Sequence, residues 1–144
     1  MKGETIMEHI ERRMKKMILA GAALLALASC QESLDEKAAK EAKMYTKKNC
    51  PAQMGDNLRM DSLTFEADTH TLHYYYTLMG QADVPGQLNQ ELARSSLLTE
   101  LKNTTSMMSF KEAGYQFAYT YHSQRQPGMV IFETVFSKKD YGQE

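Results

Sequence analysis

"DSLTFEADTHTLHYYYTLMG", from Asp61 to Gly80, decides the fold. Leu63, Phe65 and Ala67 alternate with polar residues, and Leu72, Tyr74, Tyr76 and Leu78 do the same after "DTHT". A period of two marks strands with one face turned inward, and two such runs about a short polar stretch predict a β-hairpin. Upstream, "ESLDEKAAKEAKMYTKKN" (32–49) is rich in Ala, Glu and Lys, which lose little side-chain entropy in a helix. Its apolar stripe is weak, so the early half reads as tether, with docking near Met44 and Tyr45. Asn49-Cys50-Pro51 stops it, because proline disfavours helix at the preceding residue.

The second half repeats the plan. After Pro85-Gly86, residues 87–103 predict a helix whose Leu88, Leu92, Leu97, Leu98 and Leu101 spread too widely for one stripe, which implies contact on more than one side. An irregular "TTSMMSFKEAG" follows. "YQFAYTYHS" then sets Tyr115, Phe117, Tyr119 and Tyr121 on one strand face, and "QRQPG" turns the chain into "MVIFETVFS". Apolar residues on both faces of that last run place it centrally in a sheet. Helix, hairpin, helix, hairpin is a tandem αββ pattern, with "KN" at 48–49 and again at 102–103. The expected fold is α+β: a four-stranded antiparallel sheet with helices on one face, over a single core.

The other end of the chain carries an address. Twelve uncharged residues from Met17 to Ala28 follow Arg12, Arg13, Lys15 and Lys16. The run is shorter than the ~20 residues a membrane-spanning helix needs, and a basic flank with a short apolar core is the layout of a secretory signal peptide. Leu27-Ala28-Ser29-Cys30 resembles the lipobox of bacterial lipoproteins, which implies cleavage before Cys30 and diacylation of its thiol. The domain plan is therefore signal peptide over 1–29, tether and start of the first helix over 30–43, and one α+β domain over 44–144. Two acyl chains hold a protein on a membrane where one gives only marginal binding. Gln31, where the enteric sorting rule reads Asp as inner-membrane retention, implies the outer membrane, periplasmic or surface-facing. Glu32, Asp35 and Glu36 loosely resemble a surface-export signal. The three glutamates in "MKGETIMEHIERR" are unusual for a signal's leading region, so Met14, or else Met7, is the expected start in place of Met1.

From Cys30 on, 12 Lys and Arg stand against 15 Asp and Glu. That mild acidity, without a basic stripe, argues against nucleic acid as partner. With Cys30 lipidated, Cys50 is the one remaining thiol, so the domain holds together by its core. No Gly-rich phosphate loop, nucleophile elbow or paired-carboxylate motif occurs, no cofactor is implied, and no enzyme is expected. His70, His73 and His122 lack metal-ligand spacing, so no metal site is expected. The seven methionines of the mature chain are scattered and read as core filling. Asp61-Ser62-Leu63 resembles a short O-glycosylation signal, and Asn103-Thr104-Thr105 fits the N-linked pattern.

The tandem αββ plan resembles the tandem-repeat β-lactamase inhibitor proteins and the PepSY modules of the cell envelope. Leu63, Leu72, Tyr74 and Tyr76, then Met107 or Met108, Gly114, Tyr119 and Tyr121, resemble a pattern shared by small uncharacterised secreted bacterial proteins. Many of those carry a cysteine pair in the second half, which this chain lacks, and no activity comes with the resemblance. Tyr74, Tyr76, Tyr119 and Tyr121 read as cross-strand pairs. Alternation turns Tyr75 the other way, beside His73, and these two are the candidate binding residues. The expected role is binding in the envelope, as a protein-interaction or inhibitor-like module anchored to the membrane by lipid. The alternative is a small-ligand or glycan receptor using Tyr75 and His73. An exposed apolar or aromatic patch would favour the first, and a concave pocket of about 300 Å³ or more the second.

Overall fold

The computed structural model describes residues 31–142. The expected signal peptide over 1–29, the lipidation of Cys30 and the choice of start lie outside the described residues. Leu34 opens a compact unit. Helix α1 spans Leu34–Asn49, with Asp35 and Glu36 in its first turn and Lys47 and Lys48 in its last, the order the helix dipole favours. Ala38 and Ala42, one turn apart and 0% and 2% exposed, seat it on the sheet. Docking thus begins well ahead of Met44, through two small residues that give almost no apolar stripe. No helix among the described residues is long and apolar enough to cross a membrane.

After a cis Cys50–Pro51 peptide come β1 (Ala52–Gln53), β2 (Leu58–Glu66) and β3 (Thr71–Leu78). A 3-10 turn over Gly80–Asp83 leads to α2 (Gln90–Asn103), capped by the Asn89 side chain, which accepts from the Leu92 N–H at 3.0 Å. A short helix α3 (Met108–Glu112) occupies the stretch read as irregular. Strands β4 (Gln116–Ser123) and β5 (Val130–Phe136) and helix α4 (Lys138–Tyr141) complete the domain, α4 opening with a Ser137/Asp140 capping box.

The sheet has five strands in the order β1-β2-β3-β4-β5, and it is mixed: β3 and β4 run parallel. The expected four-stranded antiparallel sheet is corrected on both counts. A single long helix between two hairpins carries the chain back to the end where β3 began, so β4 must start alongside it, as any such crossover requires. β5 is likewise an edge strand and not a central one. Its Val130 and Val135 are 44% and 43% exposed, while Phe132 and Phe136 point inward.

All the described helices contribute to one face. Ala38 and Ala42 of α1, Leu101 of α2, Phe110 of α3 and Tyr141 of α4 share a core with Leu63, Leu72, Phe117, Tyr119 and Phe136 of the sheet. The wide leucine spread of α2 does not mean two-sided packing, since Leu92 is 62% exposed and only Leu101 is buried.

Candidate functional site

Helix α1 lies over β2, whereas α2 leans the other way, over β5 and α4. The middle of the sheet is left between them. Its floor is built from two aromatic pairs that the parallel register of β3 and β4 places side by side. Tyr74 stacks on Tyr119 with ring centres 5.0 Å apart, and Tyr76 on Tyr121 at 4.8 Å. They are the expected cross-strand pairs, yet Tyr74, Tyr76 and Tyr121 stay half-buried. Central strands of a two-layer domain are ordinarily its best covered part.

Two cavities make up this cleft. One, of about 300 Å³, lies under the C-terminal half of α1 against Leu63, Leu72, Met107 and Phe110. The other, of about 240 Å³, runs over Tyr74 and Tyr76 to Leu97 and Glu100 of α2. They share Tyr45, Leu63 and Met107 as walls. Around the rim, Met44 is 59% exposed, Met54 55% and Tyr45 40%. The result is an open apolar trough edged by flexible thioethers, side chains that adapt to varied partners.

On the α2 side of the trough, Glu100 is the charged lining residue among the described residues. Burial is the chief cause that raises the ionisation of all four floor tyrosines, to about 12 for Tyr74 and Tyr121 and higher for Tyr76 and Tyr119. The Glu100 carboxylate adds to the rise in every one of them. No ion pair joins Glu100 to a cation among the described residues.

The opposite, uncovered face holds His73 and Tyr75 together. The His73 ring bonds through Nδ1 to Glu66 at 2.6 Å and through Nε2 to Thr120 at 2.7 Å, and the Tyr75 hydroxyl reaches Nδ1 at 3.0 Å. Tyr75 stacks between two imidazoles, His73 with centres 4.1 Å away and His122 at 6.3 Å. His70 stands apart in the β2–β3 turn, at φ 49°, bonded to Asp35 of α1 at 3.0 Å. Asp35 also accepts from the Tyr115 hydroxyl, and these contacts hold its carboxyl below the ordinary value, Tyr115 contributing most. No three His, Cys, Asp or Glu side chains converge as a metal site among the described residues. The half-buried Cys50 thiol is pushed up by burial, then by the charge of Asp61, away from reactivity.

Neither Tyr45, Glu100 nor Met107 stands out in the sequence as a site residue. What could have found them is the pairing of an aromatic near the end of the first helix with an acid set beside the leucines near the end of the second.

A protein-family model described as Domain of unknown function (DUF8479) matches residues 33–132. No curated protein matches the chain. Three solved structures share the fold at low identity. A protein from Pseudomonas aeruginosa described as secreted is 15% identical with a TM-score of 0.61, over 77% of this chain and 99% of its own. The type II secretion system pilotin AspS from Vibrio cholerae is 16% identical with a TM-score of 0.57, over 80% and 98%. The pilotin EpsS of the Vibrio vulnificus type 2 secretion system is 12% identical with a TM-score of 0.62, over 77% and 94%.

Proposed function

This chain belongs to the DUF8479 family, and from that footing we propose that it works by binding another protein of the cell envelope, held to the membrane through a lipidated Cys30. The observation that carries the reading is the trough between α1 and α2. It leaves stacked tyrosines and exposed methionines where a two-layer domain would ordinarily close its core. Two helices spread apart over a sheet offer a groove of the shape an amphipathic segment fills with its apolar face. Likeness in fold to two secretion-system pilotins fits a protein that assembles with envelope machinery. The lipobox-like Leu27-Ala28-Ser29-Cys30 fits an anchored position, with the outer membrane as its expected site.

Besides a separate opening of about 390 Å³ beside Lys102, Lys138 and Tyr141, the cavity under α1 reaches the size that would suit a small ligand. Its walls favour protein, because Ala42, Leu63, Leu72, Met107 and Phe110 offer a hydroxyl-rich glycan few hydrogen bonds. Tyr75 and His73 suit a glycan less as well, since stacking on a sugar needs an open ring face and these two rings are stacked on each other with centres 4.1 Å apart.

Photo-crosslinking in the producing cell tests the docking. A photoreactive residue at Met107 or Met54 is expected to capture one discrete protein, and the same residue at Leu92, on the outer side of α2, to capture none. Equal adducts from both positions, or adducts of saccharide mass alone, would overturn the reading. Intact mass of the membrane-extracted protein tests the anchor. Mature chains starting at Cys30 with acyl groups, absent in Cys30→Ala, are expected, and an unmodified chain retaining residues 17–29 would remove it.

A further inference from the structure

We infer that the trough selects its partner by charge: the docking segment carries a Lys or Arg side chain that pairs with Glu100 above the tyrosine floor. This rests on the docking reading and adds the chemistry of the occupant.

Glu100 stands on α2 at the border of the trough, exposed, and belongs to the cavity that also touches Tyr74 and Tyr76. The other acids placed at interior contacts have partners. Asp35 meets Tyr115 and His70, Asp61 meets Arg59 and Thr77, Asp83 takes the Arg125 N–H, and Asp140 caps α4 and pairs with Arg94. Glu100 has no such partner among the described residues. In the free protein, water solvates it at little cost. Once a purely apolar segment fills the trough, the carboxylate loses part of that water and gains nothing, which penalises such a segment. A segment with one ammonium or guanidinium at that position replaces the lost hydration with a charge-assisted hydrogen bond. An aromatic surface attracts a cation at its face, most strongly where water is displaced, and Tyr74, Tyr76, Tyr119 and Tyr121 form a floor of four such rings. Lys48 borders only the cavity under α1, and the Lys111 ammonium, held by the Leu101 and Thr104 carbonyls, lines neither, so the cavity that holds Glu100 has a carboxylate and no cation in its walls. The apolar rows give affinity, and Glu100 sets which apolar segment is accepted.

A displayed library of amphipathic helices of about 16 residues, long enough at 1.5 Å per residue to lie along α1, supplies the occupant. It is selected against the mature chain from residue 30 and counter-selected against Tyr45→Arg, which obstructs the trough from an exposed position and leaves the core intact. Expected are trough-dependent binders with Lys or Arg enriched at one position, an enrichment that disappears on selection against Glu100→Gln. For a single such clone, binding to Glu100→Gln is expected to weaken about tenfold, which is 1.4 kcal/mol. Replacing its basic residue by Met is expected to produce a similar loss on the wild-type chain and almost none on Glu100→Gln, the signature of direct coupling. Trough-dependent binders without a basic preference, or one that survives Glu100→Gln, would overturn the charge selection and leave docking in place. No binder sensitive to Tyr45→Arg would overturn docking and charge selection together. Glu100 is exposed, so Glu100→Gln is expected to keep the wild-type melting temperature, which separates lost recognition from lost fold.

Discussion

The two faces of the one sheet differ in what they leave unfinished. On the helix face, four helices converge on Phe117, Phe136 and Leu72, yet the middle stays open over Tyr74 and Tyr76. On the other face none of the described helices packs, and Thr71, Thr77 and Thr120 are still 3%, 7% and 4% exposed, screened by their own neighbours. His73 spans from Glu66 to Thr120, Asp61 takes the Thr77 hydroxyl at 2.6 Å, and Tyr75 fills the space between two histidines. The uncovered face pairs much of its polar surface within itself, and the covered face is incomplete in packing. A surface whose polar groups already satisfy one another gains little from a partner, whereas unburied apolar area gains roughly 25 cal/mol for each Å² removed from water. Under the proposed docking, the side that binds is the one the helices fail to close.

Four measurements would break or sharpen that contrast. The largest effect is expected at alkaline pH. Tyr74 and Tyr121 ionise near 12 in the folded state against about 10 when unfolded. The folded state therefore holds these protons longer. Their stabilisation is complete below pH ~10 and is lost as pH rises through about 12. Phenolate absorbance of the floor tyrosines is expected to appear together with loss of circular dichroism, and full ionisation with the fold intact would show the floor to be solvated.

Next, Phe117→Ala, which empties a site with 0% exposure under α4, is expected to lose about 3–5 kcal/mol in urea unfolding. A loss under about 1 kcal/mol would mean the helix face is already loosely packed. His73→Ala leaves the buried Thr120 hydroxyl without its ring partner and is expected to cost about 1 kcal/mol with partner binding unchanged. Loss of binding in that variant would move the functional site to the other face. Leu92→Lys, on the outer side of α2, is expected to shift stability by under about 0.5 kcal/mol. A larger change would reveal a contact that α2 makes with a second copy or a partner.

The edges of the sheet show a further economy. β1 ends one side after two residues, too short to template another strand. β5 is seven residues long, and α2 overhangs it. Gln90 donates to the Ile131 carbonyl at 3.3 Å, and Arg94 reaches Thr134, with its guanidinium 4.6 Å from the centre of the Phe136 ring. Short strands and covering side chains are the ordinary means of blunting an edge. Apolar residues on both faces of β5 suggested a central strand because sequence does not show that Gln90 and Arg94 would shelter an edge.

The alternation around Asp61–Gly80 was enough by itself to determine the hairpin, the inward row of Leu63, Leu72, Tyr74 and Tyr76, and the opposite turn of Tyr75 and His73. Those features follow from local geometry, since a strand exposes alternate residues whatever it packs against. Composition likewise determined that α1 and α2 would be helices, though not how deeply each would dock. Tertiary structure alone decided the parallel join of β3 and β4, the place of β5 at an edge, the docking of α1 through Ala38 and Ala42, and the gap between α1 and α2. Each depends on where an element lands after a long connection, and that is set by the summed packing of residues far apart in the chain. The candidate site is of this kind: Tyr45, Glu100 and Met107 meet only because two helices lean apart over a floor that the parallel register built.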